Sequence, residues 1–267
     1  MLAAATVCMP RHQRFTRTMG DPVQFFDDLA PSYGERYAGK PGFHDYYFGE
    51  RLAKATEGLQ LDGRHVLDIG SGTGDLYAAL QPRFPGMYYL ASDVSPRMLE
   101  HSKVPPGQRM VGHIYDQDIG DRRFDAIFML GVTTYMEPTE LERNLEWVAR
   151  HLGPSGLFIV TFTNRHAVDS WVRRLCKPML NAGSAGKGNV LTSGLRIHQY
   201  AHGDIRDLLE ARFRITRWDA LNHTIFPFNR LFPFLSIRVS RSLASVPGAP
   251  WWLRPFSSDL MVRAMAR

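Results

Sequence analysis

Residues 65–76 read HVLDIGSGTGDL, an apolar run of strand length followed by three glycines, Gly70, Gly72 and Gly74. A glycine-rich turn between a strand and a helix lets the backbone approach a ligand closely, because no Cβ intervenes. The dinucleotide fingerprint is G-x-G-x-x-G, and a P-loop ends in Lys followed by Ser or Thr. The spacing here is G-x-G-x-G, and Asp75 stands where the helix begins and would repel a phosphate. The loop therefore disfavours phosphate ligands.

Two acids suggest another kind of ligand. Asp68 lies inside the apolar run, and Asp93 closes the next run, YYLASD. A carboxylate at the end of a second strand can accept hydrogen bonds from both hydroxyls of a ribose. Asp68 can stabilise an ammonium group directly or through water. Together they predict a ligand with a nucleoside at one end and a positive charge at the other.

Strand-length and helical patterns alternate along most of the chain. Such alternation indicates βαβ units and a parallel sheet with helices on both faces. The predicted strands are residues 65–70, 87–93, 109–112, 124–130, 156–162, 213–218 and 259–266. The predicted helices are residues 74–83, 96–103, 139–152 and 204–212.

Composition is that of a soluble globular protein: 44% of the 267 residues are apolar and 22% are charged. The net charge of +6 favours acidic or membrane-surface partners. Cys8 and Cys176 have no metal-ligand spacing, so we expect no metal site and a cytoplasmic location. Residues 1–18 contain Arg and His but no acid. We interpret them as a disordered extension, with an organellar transit peptide as the alternative.

Several motifs carry a resemblance to a known family. VLDIGSGTGDL followed by SDVSPRML resembles motifs I and II of the class I S-adenosylmethionine-dependent methyltransferases. FFDDLAPSYGERY, residues 25–37, is similar to the N-terminal segment of the subgroup (methyltransferase type 11) that includes ubiquinone and menaquinone biosynthesis methyltransferases. Residues 123–137 and 152–162 resemble its fourth and fifth strand segments. The resemblance implies a Rossmann-like, doubly wound α/β fold with a seven-stranded, mostly parallel sheet. It also implies S-adenosylmethionine as cofactor and S-adenosylhomocysteine as product.

The resemblance also implies which residues bind the cofactor. They are Tyr33, Asp68, Gly70, Ser71, Gly72, Gly74, Asp93, Val94, Met98, Ile114, Leu130 and Gly131. One departure leaves the adenine partner open. Many relatives have an acid directly after the glycine that ends strand 3, whereas here Gly112 is followed by His113. Either His113 or the later Asp116 would meet the adenine amino group, with Ile114 against the adenine face.

The acceptor side is predicted from the aromatic later part of the chain. Tyr135 follows strand 4, where the family often places residues that face the methyl group. Among the later histidines, His223 is the best candidate for a general base. The methyltransferase domain is taken as residues 19–267, with insertions at 164–198 and 219–257 that form a substrate cap. Oligomeric state and the kind of atom methylated are left open.

The segment from His223 to Phe256 interleaves aromatic and aliphatic residues with Arg230, Arg238, Arg241 and Arg254. Between residues 231 and 243, apolar residues and arginines fall on roughly opposite sides of a helix, which suits a membrane surface. A cap whose aromatics pack against the sheet is the alternative. Both predict an apolar small-molecule acceptor: a lipid-like, quinone, isoprenoid or aromatic compound.

Two other classes of function are weighed against this one. A nicotinamide-dependent oxidoreductase is disfavoured by the glycine spacing. A nucleic-acid-binding protein or RNA methyltransferase is favoured by the pI of about 9.5. However, LGVTTY stands where an N-P-P-Y-like tetrad for base methylation would follow strand 4. We therefore expect no nucleic-acid partner.

Overall fold

The computed structural model describes residues 21–38, 43–172, 175, 195–246 and 248–267. The predicted extension at 1–18 and most of the insertion predicted at 164–198 lie outside the described residues.

Seven strands form one sheet in the order β3-β2-β1-β4-β5-β7-β6. Strands β1 to β5 pair in parallel, and β7 runs antiparallel to both of its neighbours, β5 and β6. The predicted doubly wound, mostly parallel sheet is confirmed. The strands are β1 (His65–Ile69), β2 (Tyr88–Asp93), β3 (Arg109–Val111), β4 (Phe124–Met129), β5 (Leu152–Thr163), β6 (Phe213–Leu221) and β7 (Asp259–Ala266).

Helices cover both faces of the sheet. They are α1 (Pro22–Ala38), α2 (Phe43–Thr56), α3 (Asp75–Leu80), α4 (Pro96–Glu100), α5 (Pro138–His151), α6 (His202–Glu210), α7 (Phe228–Leu231) and α8 (Pro233–Ala244). The third and fourth helices are shorter than predicted. The strand β5 begins four residues early, at Leu152, because a register shift at Phe124 and Ala126 in β4 admits the extra residues. Helices α1 and α2 precede the first predicted element.

Alternate strand residues fill two apolar layers. Leu67, Ile127 and Phe158 belong to the core beneath α5 and α6. Their chain neighbours Phe128 and Ile159 belong to the core on the opposite face. Strands buried on both faces appear in sequence as continuous apolar runs. This is why the positions of the strands could be predicted from the sequence.

The sheet has a switch point between β1 and β4. The chain winds from β1 toward β2 and β3 on one side, and β4 lies on the other side of β1. In open α/β sheets a ligand crevice forms at such a point, outside the carboxyl ends of the strands. The glycine loop follows β1 at this edge, so the topology places it at the crevice.

Helix α1 is fastened across this edge. The Asp27 carboxylate accepts hydrogen bonds from the Ser95 hydroxyl (2.5 Å) and the Arg97 N–H (3.2 Å) at the start of α4. Ser95 in turn caps α4 by accepting the Met98 N–H at 3.0 Å. Helix α1 is thereby held against the loop that connects β2 to α4.

Candidate active site

A cavity of about 780 Å³ lies at the carboxyl ends of the strands. Its walls come from α1 and α2, the ends of β1, β2 and β4, and the segments that follow β5 and β6. This volume lies within the range of ~300–1,000 Å³ typical of small-molecule sites. Most of the predicted cofactor residues therefore line one cavity together with Tyr135 of the predicted acceptor side.

The three glycines of the loop differ in what a side chain at each position would contact. A Cβ on Gly70 would lie 2.3 Å from Cγ1 of Val132, so this glycine permits close packing of β1 against the loop after β4. Gly72 lines the cavity, and a Cβ built there would meet no protein atom within 4 Å. Gly74 faces away from the cavity, toward Ser102 and Val104. Of the three, only Gly70 and Gly72 line the cavity.

Asp93 is held in a fixed orientation at the end of β2. One carboxylate oxygen accepts the Gly72 N–H at 2.7 Å, and the other accepts the Ser95 N–H at 2.9 Å. Burial raises the pKa of this carboxyl, while the two backbone donors favour its charged form. Because a carboxylate has about four acceptor positions, each oxygen can still accept one hydroxyl. The arrangement fits the two hydroxyls of a ribose.

Asp68 lies one layer deeper. It is buried and accepts the Tyr89 hydroxyl at 2.7 Å, and it does not line the cavity. The pKa of Asp68 is raised to about 7, mainly by burial; the hydrogen bond from Tyr89 lowers it, and the nearby Asp93 and Asp75 raise it. A bound ammonium group could interact with it only through the loop or a bridging water. Ser71 is also buried beside the loop and outside the cavity wall.

The raised pKa of Asp68 predicts a pH dependence of stability. The folded protein holds this proton up to about pH 7, whereas an unfolded Asp releases it near ~4. Stability is therefore lost as pH rises through that interval, by at most about 1.4 kcal/mol per pH unit. Asp68→Asn keeps an acceptor for Tyr89 and removes the titration. Denaturant unfolding between about pH 4.5 and about pH 8 should show the wild type losing stability relative to the variant. Parallel curves would contradict the prediction.

At the predicted adenine end, Met98 and Ile114 are buried and line the cavity, and Val94 lines it beside them. Of the two candidate partners for the adenine amino group, His113 and Asp116, only His113 lines the cavity. Its Nδ1 lies 3.2 Å from the Glu140 carboxylate, which also lines the cavity. Asp116 is exposed outside the wall and pairs with Arg143 at 2.9 Å.

At the other end, Leu130 and Gly131 line the cavity at the close of β4, followed by Tyr135. The Tyr135 ring packs edge-on against Phe26 of α1, with ring centroids 5.1 Å apart. Burial raises the pKa of its hydroxyl. Tyr33 of α1 also lines the cavity. Their roles as contacts to cofactor and acceptor stay predictions.

The structure does not bring His223 to the cavity. Its side chain is buried beside α8, and neither ring nitrogen has a hydrogen-bond partner among the described residues. Burial lowers its pKa to about 4, so the ring is neutral at pH 7 and a weak base. The adjacent Thr224 lines the cavity instead. Within the described ranges there is no group of three or more His, Cys, Asp or Glu placed to hold a metal ion.

Sequence reasoning missed a polar cluster formed by Tyr47, Arg51 and Asp259, all three of which line the cavity. Arg51 Nη2 and the Tyr47 hydroxyl donate to the same Asp259 oxygen, at 2.7 and 2.6 Å. The i, i+4 spacing of the Tyr and Arg was visible in the sequence. Their partner lies 208 positions beyond Arg51, and no local signal links them.

Comparisons with known proteins agree with this geometry. Residues 67–158 match the profile of a methyltransferase domain. An uncharacterized methyltransferase of Mycobacterium tuberculosis is 31% identical over 119 residues, which cover 44% of this chain and 47% of that protein. A demethylmenaquinone methyltransferase of Deinococcus radiodurans is 32% identical over 85 residues, 30% of this chain and 35% of that protein. The alignments thus span less than half of these relatives.

Among solved structures, the fold is similar to that of magnesium protoporphyrin IX methyltransferase from Synechocystis PCC 6803 with bound S-adenosylhomocysteine. The TM-score is 0.59 at 16% identity, and the match covers 92% of this chain and 98% of that one. At this identity the likeness concerns the fold. The domain match over residues 67–158, the sheet order and the cavity at the switch point together support a class I S-adenosylmethionine-dependent methyltransferase fold for this chain.

Proposed function

We propose that this chain transfers a methyl group from S-adenosylmethionine to a small, largely apolar acceptor bound in the same cavity. The observation that carries the proposal is the mixed lining of that cavity. Asp93 and the glycine loop line it, and so do the aromatic rings of Phe26, Phe48 and Tyr135. One space is thus bordered by groups suited to the cofactor and by groups suited to an acceptor, as the transfer of a group between two bound molecules requires.

The cofactor end suits S-adenosylmethionine. Asp93 would hold the ribose, Gly72 would let the loop approach it, and Met98 and Ile114 would flank the adenine. When bound, the cofactor supplies a methyl group on a positively charged sulfur, which is already electrophilic. The protein's main contribution is to align the acceptor with that methyl group, and alignment alone can supply ~7–11 kcal/mol.

The cavity wall contains the aromatic rings of Phe26, Tyr47, Phe48 and Tyr135, together with polar side chains from the end of β5 and the segments that follow β5 and β6, among them Thr163, Gln199, Thr224 and Asn229. Rings beside polar groups suit an aromatic or quinone-type acceptor, which has a flat apolar face and polar oxygens. The relatives named above include a methyltransferase for demethylmenaquinone and one for a porphyrin. These acceptors belong to those proteins, and they support only the general class proposed here.

The proposal is tested in two steps. Calorimetry should show that S-adenosylhomocysteine binds and that NAD does not. A methyl-transfer screen with labelled cofactor should then include quinol, phenol, isoprenoid and fatty-acyl acceptors, with RNA and a panel of small amines as comparison. Failure to bind S-adenosylhomocysteine would overturn the proposal, and transfer confined to RNA or to polar amines would overturn the proposed acceptor class.

We further propose that the segment around α7 and α8 holds the enzyme at an anionic membrane surface. Residues 220–258 contain four arginines and no Asp or Glu. Large apolar side chains in this segment face solvent, including Phe234 (84% exposed) and Trp251 (79% exposed). Other exposed members are Phe228, Leu231, Phe232, Leu235, Val239 and Trp252. Apolar side chains beside unopposed positive charge match the chemistry of an interfacial helix.

This arrangement differs from the predicted separation of apolar and basic sides. The buried side of α8 consists of small residues, Ser240 and Ala244, because Ser240 packs onto α2 and accepts the Tyr46 hydroxyl at 2.7 Å. Arg238 is exposed, on the side of the helix that carries Leu235 and Val239. No described helix is long and apolar enough to cross a membrane. The contact proposed is therefore peripheral.

Reversing the charge of Arg238 and Arg241 should weaken vesicle binding. Each basic residue near an anionic surface contributes ~1 kcal/mol, so Arg238→Glu with Arg241→Glu should reduce binding to phosphatidylglycerol vesicles by at least about tenfold. The matched control is Arg64→Glu with Arg122→Glu, which makes the same charge change at the opposite, amino-terminal edge of the strands. Vesicle co-sedimentation at low salt measures the difference. Equal loss in both double variants, or no binding by the wild type, would contradict the membrane proposal.

A further inference from the structure

The cluster of Tyr47, Arg51 and Asp259 is a buried charged group in the wall of the cavity. The Asp259 side chain is 3% exposed and that of Arg51 10%. Arg51 Nη2 also lies 3.1 Å from the Tyr47 hydroxyl, so the three polar groups meet around one carboxylate oxygen. Two helix residues and the first residue of β7 are thereby locked together.

Stability alone does not account for this cluster. Burying a charged pair costs about as much in lost hydration as the attraction returns, so such a pair is weak support for a fold. Here the Arg51 Nε is buried and has no hydrogen-bond partner in the described part of the chain. Because Arg51 also lines the cavity, its guanidinium is in place to bind a ligand group there.

The position of the Arg51 guanidinium also supports a role in binding a ligand. A Cβ on Gly131 would lie 2.4 Å from Arg51 Nη1, so the absence of a side chain at Gly131 makes room for the guanidinium at the end of β4. Among the lysines and arginines that the structure describes, Arg51 is the one that lines the cavity. Five acids line the cavity as well: Asp21, Asp93, Glu140, Asp169 and Asp259. An anionic group bound in the cavity would therefore be stabilised best beside Arg51.

We propose that Arg51, held in place by Tyr47 and Asp259, binds the ionised oxygen of a phenol- or enol-type acceptor. The inference rests on the proposed function, since it takes the cavity to hold cofactor and acceptor together. In the complex the acceptor O–H bond breaks and its proton is released to solvent. The electron pair stays on the acceptor oxygen, where Arg51 stabilises the negative charge with a charge-assisted hydrogen bond.

The probe is 4-nitrophenol, whose anion has a visible absorption band that the protein lacks. In the complex of the wild-type protein with S-adenosylhomocysteine, the bound phenol should ionise at a pH about one unit lower than in water, a tenfold shift toward the anion. Replacing both charges, in Arg51→Met with Asp259→Asn, keeps the net charge of the cluster and should abolish the shift. Arg51→Lys should retain part of it. Arg64→Met, in an exposed ion pair with Asp125, is the control and should retain all of it.

Calorimetry with S-adenosylhomocysteine accompanies each titration. If the wild type does not bind S-adenosylhomocysteine, the proposed function itself fails. If it does bind, the inference is overturned when 4-nitrophenol does not bind, when its ionisation is unshifted, or when the shift persists in the double variant. A large loss of S-adenosylhomocysteine affinity in Arg51→Lys, with the phenol shift unchanged, would assign the guanidinium to the cofactor's carboxylate and also overturn it.

Discussion

Gly72→Val should abolish binding of S-adenosylhomocysteine. The backbone at Gly72 has a φ of 52°, and a Cβ there would meet no protein atom within 4 Å. Nothing in the protein opposes the new side chain except its strained backbone, whereas a bound cofactor would occupy the space into which it projects. Calorimetry of the soluble variant should show no measurable binding.

Gly120→Val separates these two effects. Gly120 has a φ of 60° and a similarly open Cβ position, and it does not line the cavity. It therefore carries the backbone strain without the intrusion. We expect both variants to lose similar stability in thermal unfolding, while only Gly72→Val loses binding. Full affinity in Gly72→Val would mean that the loop does not approach the ligand.

Asp93→Ala should weaken S-adenosylhomocysteine binding at least about tenfold, equivalent to about 1.4 kcal/mol. The carboxylate is oriented by the N–H groups of Gly72 and Ser95, and its free acceptor positions would be lost with it. Asp75→Ala is the matched control, because Asp75 directly follows the glycine loop but pairs with Lys103 outside the cavity. Unchanged affinity of a folded Asp93→Ala variant would remove the ribose assignment.

The positions of the glycine loop and Asp93 beside the cavity could be predicted because local features determine them. Buried parallel strands appear as apolar runs, and the residues that follow them must emerge at one edge of the sheet. Asp93 and Gly72 were located in this way. The choice between His113 and Asp116 could not be made from sequence. A short 3-10 turn over Ile114–Asp116 carries Asp116 outward to Arg143, and nothing in the spacing specifies that turn.

The acceptor end was less predictable because it is assembled from distant segments. His223 follows β6 as predicted, but whether a side chain after a strand faces the cavity or the protein interior depends on its packing partners. Here the Ser240 hydroxyl accepts the His223 N–H at 2.9 Å and keeps that residue against α8. The cluster around Asp259 was missed for the related reason that helix α2 and strand β7 meet only in the folded protein.

The place of β7 in the sheet has a consequence for biosynthesis. This strand follows every other described element along the chain, yet it lies between β5 and β6. While the ribosome is still making residues before 259, β6 has no neighbour through which to join the sheet, and Arg51 has no carboxylate partner. Pairings between such distant segments form slowly. A nascent chain would therefore form its glycine loop before the part of the cavity wall that holds Arg51 and Asp259.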